Sequence, residues 1–272
     1  MGKYENYLLV SDMDGTLLNS QDRVPEINLA AIEKFTSEGG RFCVATGRTP
    51  ENASIFLHGV HINTSCIFFN GAMLYDYANQ KITAEEPLAG ELWHRYVEFL
   101  LRDYPEVCIQ IYAADDCYMV SDTPPGAPVL QGMTYSYTRT TWQEISHLDW
   151  LKMMLVGEHE LLERVRDEAE RMGLMKLSNS FFSADRFYEF VAANASKGHM
   201  LQRLKELPEN KGRKVVAMGD YANDVHMLKM ADVGIASGNA IPQAKEAADM
   251  VGVTCDEGLT AYAIGLIDKG EI

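Results

Sequence analysis

No stretch of the 272-residue chain approaches the roughly 20 consecutive apolar residues that a membrane-spanning helix needs, so no membrane partner is expected. The first residues, Met1 to Asn6, are short and polar and lack the apolar core of a secretion signal, which points to the cytoplasm. Cysteine is scarce and unpatterned. Cys43, Cys66, Cys108, Cys117 and Cys255 are odd in number, widely scattered and nowhere spaced C-x-x-C, and they read as reduced core residues. The seven histidines show neither H-x-H nor H-E-x-x-H spacing, which argues against a zinc site. Basic residues are also in deficit: 24 Lys plus Arg against 39 Asp plus Glu give a formal charge of −15. The average field therefore repels phosphate backbones, and nucleic acid is not an expected partner. A small anion is still compatible with such a chain, because a divalent ion and one or two cations in a pocket outweigh distant, screened carboxylates. No internal repeat or low-complexity segment is present.

With 47% apolar residues, the chain has core enough for one large domain or two modest ones. The stretch around which it is organised runs from Leu8 to Thr16, where the apolar run Leu8-Leu9-Val10 ends in Ser11-Asp12-Met13-Asp14-Gly15-Thr16. A buried strand that ends this way can turn on Gly15 and bring two carboxylates to one pocket, as a nucleophile or metal ligand beside a proton donor. An Asx-rich turn leaving a strand would use the same letters, so the rest of the chain has to decide.

The pattern recurs. Pro25 to Glu38 carries Ile27, Ala31, Ile32 and Phe35 at helical spacing before Gly39-Gly40. Phe42 to Ala45 suits a strand buried on both faces and ends in Thr46-Gly47-Arg48, with Thr49-Pro50 as N-cap and first helical residue. Cys66 to Phe69 reads as a third such strand, ending in Asn70-Gly71-Ala72. Strands alternating with helices imply a parallel sheet whose ligands gather at the carboxyl ends of the strands. From about Ile82 to Phe190 the texture changes. Helices are expected around Leu92 to Leu100 and over Glu158 to Met172. Strands are expected at Val107 to Ala113, Cys117 to Val120, Lys152 to Val156 and Phe187 to Val191, with a proline-rich loop over Thr123 to Pro128. The rings of Trp93, Tyr96, Trp142, Trp150, Phe181 and Phe182 are expected to build a core rather than to touch a ligand. The alternating rhythm then resumes: helix from Lys197, strand Val215 to Met218, helix from Asn223, strand Val233 to Ile235, helix Pro242 to Ala248. The expected fold is α/β, a Rossmann-like parallel-sheet core formed by residues 1–82 and 191–272 with an inserted α+β cap domain over residues 83–190.

The second acidic motif, Gly219-Asp220-Tyr221-Ala222-Asn223-Asp224, comes after a buried strand as the first does. Asp220 sits at the strand tip, and Asn223 and Asp224 fall where free helical N–H groups favour carboxylates and phosphate oxygens. Asp12 and Asp220 from two strand tips make an all-oxygen site suited to Mg²⁺. Thr46 would donate its hydroxyl to a phosphoryl oxygen. Lys197 would offset its charge, although taken alone it reads as a solvated helix-end lysine.

The ordered set Asp12-Met13-Asp14-Gly15-Thr16, Thr46-Gly47-Arg48, Ser196-Lys197-Gly198 and Gly219-Asp220-Tyr221-Ala222-Asn223-Asp224 resembles the haloacid dehalogenase-like (HAD) phosphatases. Asn70-Gly71-Ala72, Gly238-Asn239-Ala240 and Asp256-Glu257-Gly258-Leu259 narrow the resemblance to the Cof-type subfamily IIB, whose cap is of the C2B type. Two departures stand out: Tyr221 at a variable position, and Ala193-Asn194-Ala195 where a Gly-Val pair is common. The resemblance implies that Asp12 attacks phosphorus and forms an aspartyl-phosphate, and that Asp14 protonates the leaving oxygen and then activates water. It implies Mg²⁺ as cofactor, held by Asp12, the main-chain carbonyl of Asp14 and Asp220, with Asp224 behind them or acting through water. Thr46, Gly47 and Lys197 would bind the phosphoryl group. Asn223 and Asn239 would face the phosphate or order the loops, and Arg48 and Asn70 would contact substrate.

The implied activity is a Mg²⁺-dependent phosphatase for small phosphorylated metabolites, sugar phosphates first among them, with a cap that closes over the leaving group. The chain would work as a monomer or weak homodimer. A phosphomutase would use the same aspartyl-phosphate, but the insertion after Asn70-Gly71-Ala72, rather than just after Asp14, argues against it. A non-catalytic phosphate sensor would need no acid at Asp14.

Overall fold

The computed structural model describes residues 2–123 and 136–272. Beyond Thr123, the proline-rich loop expected up to Pro128 lies outside the described residues. The chain divides into two compact units, one formed by Met1–Ala84 with Ser196–Ile272 and the other by Glu85–Ala195.

In the first unit, five parallel strands lie in the order Met250–Val251, Val233–Ala236, Lys214–Gly219, Tyr7–Ser11 and Arg41–Val44. Strand Tyr7–Ser11 pairs on both sides, Leu9 opposite Val216 and Phe42, and Val10 opposite Ala217 and Cys43. Burial on both faces explains why these strands are nearly continuous apolar runs. The crossover helices take their starts from local chemistry. Thr49 accepts a hydrogen bond from the Asn52 N–H with Pro50 in the first helical position, and Ser196 accepts from the His199 N–H to start Lys197–Lys205. The helix Leu259–Lys269 packs against Glu26–Ser37.

The third apolar run does not join this sheet as a strand. Cys66–Phe68 pairs antiparallel with Met73–Asp76, and Lys81–Glu85 completes a separate three-stranded sheet; a single bridge, Ala45 to Ile67, ties it to the parallel one. The physical cause lies in Asn70-Gly71. Phe69, Asn70 and Gly71 have positive φ (51°, 56° and 103°), so the chain reverses tightly and the next residues hydrogen-bond back on Cys66–Phe68.

Among the described residues, the second unit is a six-stranded mixed sheet with two α-helices, Leu92–Asp103 and His159–Arg171. The strand order is Ser178–Ala184, Phe187–Ala192, Lys152–Val156, Cys108–Tyr112, Cys117–Met119 and Thr138–Arg139. All pairs are antiparallel except the last. Trp93, Tyr96, Val97 and Leu100 from the first helix pack with Ile109, Met153, Leu155 and Phe190 from alternate sheet positions. Trp150 joins this core, whereas Trp142 and Phe182 are only partly buried against it. Strand Ser178–Ala184 is the element the sequence does not announce, because Ser178, Ser180 and Ser183 give it no apolar alternation. Among the described residues, no helix is long and apolar enough to cross a membrane, and all five cysteines are buried and free.

Candidate active site

The acidic motifs meet at the carboxyl ends of neighbouring strands. Asp12 directly succeeds strand Tyr7–Ser11 and stays on it by donating its N–H to the Met218 carbonyl at 2.9 Å. The chain then turns through Met13–Leu17, with Gly15 at φ 76°. A Cβ at Gly15 would lie 2.5 Å from Asp220 Oδ2, so only glycine admits both the backbone angle and the approach. Thr16 Oγ1 donates to Asp220 Oδ1 at 3.0 Å, joining the two motifs. On the other strand, Asp224 folds back over Gly219, where a Cβ would lie 2.4 Å from that of Asp224. Its Oδ2 accepts from the N–H groups of Asp220 and Tyr221 at 2.9 and 3.0 Å.

Lys197 is not a solvated helix-end lysine. It is fully buried, and its Nζ donates to Asp12 Oδ1 at 2.5 Å and to Asp224 Oδ1 at 2.7 Å. Burial works against its charge, but the two carboxylates outweigh that and hold its pKa above the ordinary lysine value. Burial, followed by the charge of Asp224, pushes Asp12 well up, and the same two causes raise Asp220. Asp12, Asp220 and Asp224 each bring an oxygen to within 4.8 Å of the others. Three acids against one ammonium leave two negative charges uncompensated when all are ionised, which is the deficit a divalent cation fills. An all-oxygen donor set suits a hard cation. The residues present therefore fit a metal site.

The side chain of Asp14 lies outside this acidic group. Arg48 grips it with a two-pronged fork, Nε to Oδ2 at 2.9 Å and Nη2 to Oδ1 at 2.6 Å. Arg48 Nη1 donates to Asn52 Oδ1 at 2.5 Å, and its guanidinium stacks 4.2 Å from the Phe56 ring centroid. The family resemblance implies an Arg48 that reaches for substrate; here its three nitrogens are all engaged. Asn52 and Phe56 are supports that the sequence motifs do not reveal. Both lie on the short helix Pro50–Phe56 that follows Arg48, spaced i, i+4, and that spacing is their trace in the sequence. We expect Arg48→Met to reduce kcat/KM by about 10- to 100-fold for alkyl phosphates and far less for para-nitrophenyl phosphate, because the proton-donor role that the family resemblance implies for Asp14 depends on its placement and matters most for poor leaving groups. Steady-state kinetics over a leaving-group series measures this, and a uniform loss across the series would refute it.

The remaining predicted residues fall around this centre. Thr46 is buried. Its Oγ1 accepts from the Arg48 N–H at 3.2 Å, and its carbonyl accepts from the Asn70 N–H at 3.0 Å. Gly47 lies against the Asn70 amide, leaving no room for a Cβ, which would sit 2.9 Å from Asn70 Nδ2. Asn223 Nδ2 donates to Asn70 Oδ1 at 2.9 Å. Asn239 is committed to the loops: its Nδ2 donates to the Gly15 carbonyl at 2.8 Å, and its Oδ1 accepts from Ser237 Oγ and the Cys255 N–H. Thr16, beside the Gly15 turn, ties Asp220 to the first motif.

A parallel sheet with carboxylates at its strand tips, a buried lysine bridging them and an α+β insertion suit a hydrolase that works on phosphate esters. The chain belongs to the haloacid dehalogenase-like hydrolase family, whose model it matches over residues 9–264, and it is a phosphatase of that family. It is similar to the HMP-PP phosphatase of Yersinia pseudotuberculosis, 26% identical over 88% of this chain and 86% of that one. It is also similar to the 5-amino-6-(5-phospho-D-ribitylamino)uracil phosphatase YitU of Bacillus subtilis, 22% identical over 92% and 93%. Among solved structures, a haloacid dehalogenase-like hydrolase from Bacteroides thetaiotaomicron superposes with a TM-score of 0.82 at 27% identity, over 97% of this chain and 99% of that one.

Proposed function

We propose that this phosphatase hydrolyses monophosphate esters of sugars and sugar alcohols through an aspartyl-phosphate on Asp12, with Mg²⁺ as its cofactor. The observation that carries the chemistry is the contrast between two acids two residues apart. Asp12 is buried on Lys197 within the acidic group, whereas Asp14 stands outside it under the Arg48 fork.

In the first half-reaction, an Asp12 carboxylate oxygen forms a bond to phosphorus as the ester P–O bond breaks, and Asp14 gives its proton to the leaving oxygen. In the second, Asp14 takes a proton from water as that water bonds to phosphorus, and the Asp12–phosphorus bond breaks to release inorganic phosphate. Splitting the displacement this way replaces one hard step with two easier ones. Lys197 holds the attacking carboxylate in place and offsets charge on the phosphoryl group, and Thr46 has a hydroxyl proton to give to a phosphoryl oxygen. Asp12, Asp220, Asp224 and the Asp14 carbonyl would hold Mg²⁺, which supplies further positive charge against the phosphoryl oxygens. Removing divalent metal with EDTA should abolish turnover and lower Tm, and adding Mg²⁺ should restore both. An enzyme equally active in excess EDTA would rule out this cofactor assignment.

The sugar-alcohol assignment draws on the similar Bacillus subtilis protein, whose name specifies a ribityl phosphate. A panel of sugar phosphates, polyol phosphates, nucleotides and pyridoxal phosphate, compared by kcat/KM, tests it. The expected result is a preference of at least about 10-fold for polyol or sugar esters, the scale one or two lost hydrogen bonds produce. A preference for nucleotides, or equally poor hydrolysis of every ester, would overturn it.

A further inference from the structure

At the edge of the parallel sheet opposite Asp12, the first unit carries a cleft of about 510 Å³ that the phosphatase chemistry does not use. Arg41 opens one strand, Arg213 immediately precedes another, and both line the cleft with Ser37, Asn63, Glu5 and Glu38. Tyr7–Ser11 leads from this edge to Asp12, and five extended residues span about 17 Å. The cleft and the acidic centre are therefore separate places.

The two arginines are held but not neutralised. Arg213 donates from Nε to the Glu209 carbonyl at 2.9 Å and from Nη1 to the carbonyls of Gly39 and Tyr7 at 2.9 and 3.3 Å. Arg41 Nη1 donates to the Asn63 carbonyl at 2.7 Å. Among the described residues neither guanidinium is paired with a carboxylate, in a chain where acids outnumber bases 39 to 24. Burial and then the neighbouring Arg41 charge push Arg213 down, with Glu5 opposing them, so the positive charge there is only partly answered. Carbonyl anchors hold both guanidiniums, and among the described residues Arg213 Nη2 and Arg41 Nε and Nη2 donate to no acceptor, an arrangement suited to planar or tetrahedral oxyanions.

We infer that Arg41 and Arg213 form a second binding site, for a small metabolite bearing one oxyanion group, at the amino-terminal edge of the core sheet. Glu5 and Glu38 share the cleft and would repel a second anionic group, so the rest of the ligand carries hydroxyl or amino groups. Inorganic phosphate serves as the probe. Calorimetry on the Mg²⁺-loaded wild-type enzyme should find two phosphates bound per chain. Arg41→Gln should bind one, with kcat/KM for para-nitrophenyl phosphate unchanged within about twofold, since it lies far from the chemistry. Lys197→Met should lose the other phosphate and keep the one that depends on Arg41. A single phosphate in the wild type, retained in Arg41→Gln, would overturn the inference. If Arg41→Gln is itself unstable, wild-type crystals soaked in selenate decide the matter: a selenium peak within hydrogen-bond distance of both guanidiniums supports the site, and a peak beside Lys197 alone overturns it.

Discussion

Asp12→Asn should lower kcat for para-nitrophenyl phosphate by about 10⁴-fold or more, the scale on which removing a covalent nucleophile acts, while leaving the fold intact. Asparagine keeps the shape of the side chain and an oxygen to accept from Lys197 Nζ, so the buried contact at 2.5 Å survives in modified form. The amide is too weak a nucleophile to bond to phosphorus. Acid-quench trapping with a radiolabelled substrate should find phosphoenzyme in the wild type and none in the variant. Asp14→Asn separates the two roles: it should still accumulate phosphoenzyme from good leaving groups but release it slowly, because no base remains to activate water. Residual turnover above about 1% in Asp12→Asn, with no deamidation back to aspartate, would mean that another group attacks phosphorus.

Lys197→Met should cost about 3–5 kcal/mol of stability, the range for removing one partner of a buried charge pair. Lys197 is buried against Asp12 and Asp224, and without it their charges face each other with no ammonium between them. The pH dependence originates in Asp12. Its folded pKa already lies above the ordinary value of 3.8 through burial and Asp224, and Lys197 is what pulls it back. A carboxyl with a raised folded pKa favours the folded state while protonated. The associated destabilisation is absent below the unfolded pKa, grows as pH rises towards the folded pKa and is complete above it. Losing Lys197 moves that upper limit higher, so the deficit of the variant relative to wild type should be larger at pH 8 than at pH 5. Urea unfolding at both pH values in EDTA measures this. A deficit that shrinks with rising pH would show that the lysine does not stabilise ionised Asp12. Activity should fall with stability but not recover at pH 5, because the phosphoryl group has also lost its cation.

The two sets of residues differ in how far the linear pattern could reveal them. Asp12, Asp14, Asp220 and Asp224 were legible because each pair sits just past a short, nearly continuous apolar run, and a strand buried on both faces in a parallel sheet delivers the residues at its carboxyl end to one edge. The alternation of such runs with helical periods likewise announced the α/β core and the change of texture at its insertion. Strand Cys66–Phe68 misled for the same reason: its composition matches a parallel core strand, and only the positive φ angles at Phe69, Asn70 and Gly71 turn it into a hairpin. Ser178–Ala184 stayed hidden because its partner Phe187–Ala192, and not its own composition, makes it a strand.

By itself the sequence determined the class of chemistry, since two acids beside a glycine at a strand tip, answered by a second acidic motif and a lysine, restrict the reaction to a few kinds. Only the tertiary structure decided how those groups are shared. Lys197 and Asp12 are 185 residues apart, Arg48 and Asp14 are 34, and whether a lysine is solvated or a fork points at substrate or at a neighbouring acid depends on contacts that carry no local sequence signature. Burial converts the first pair from a surface lysine and an ordinary acid into a coupled charge site, because removal from water strengthens their attraction and makes either charge costly alone.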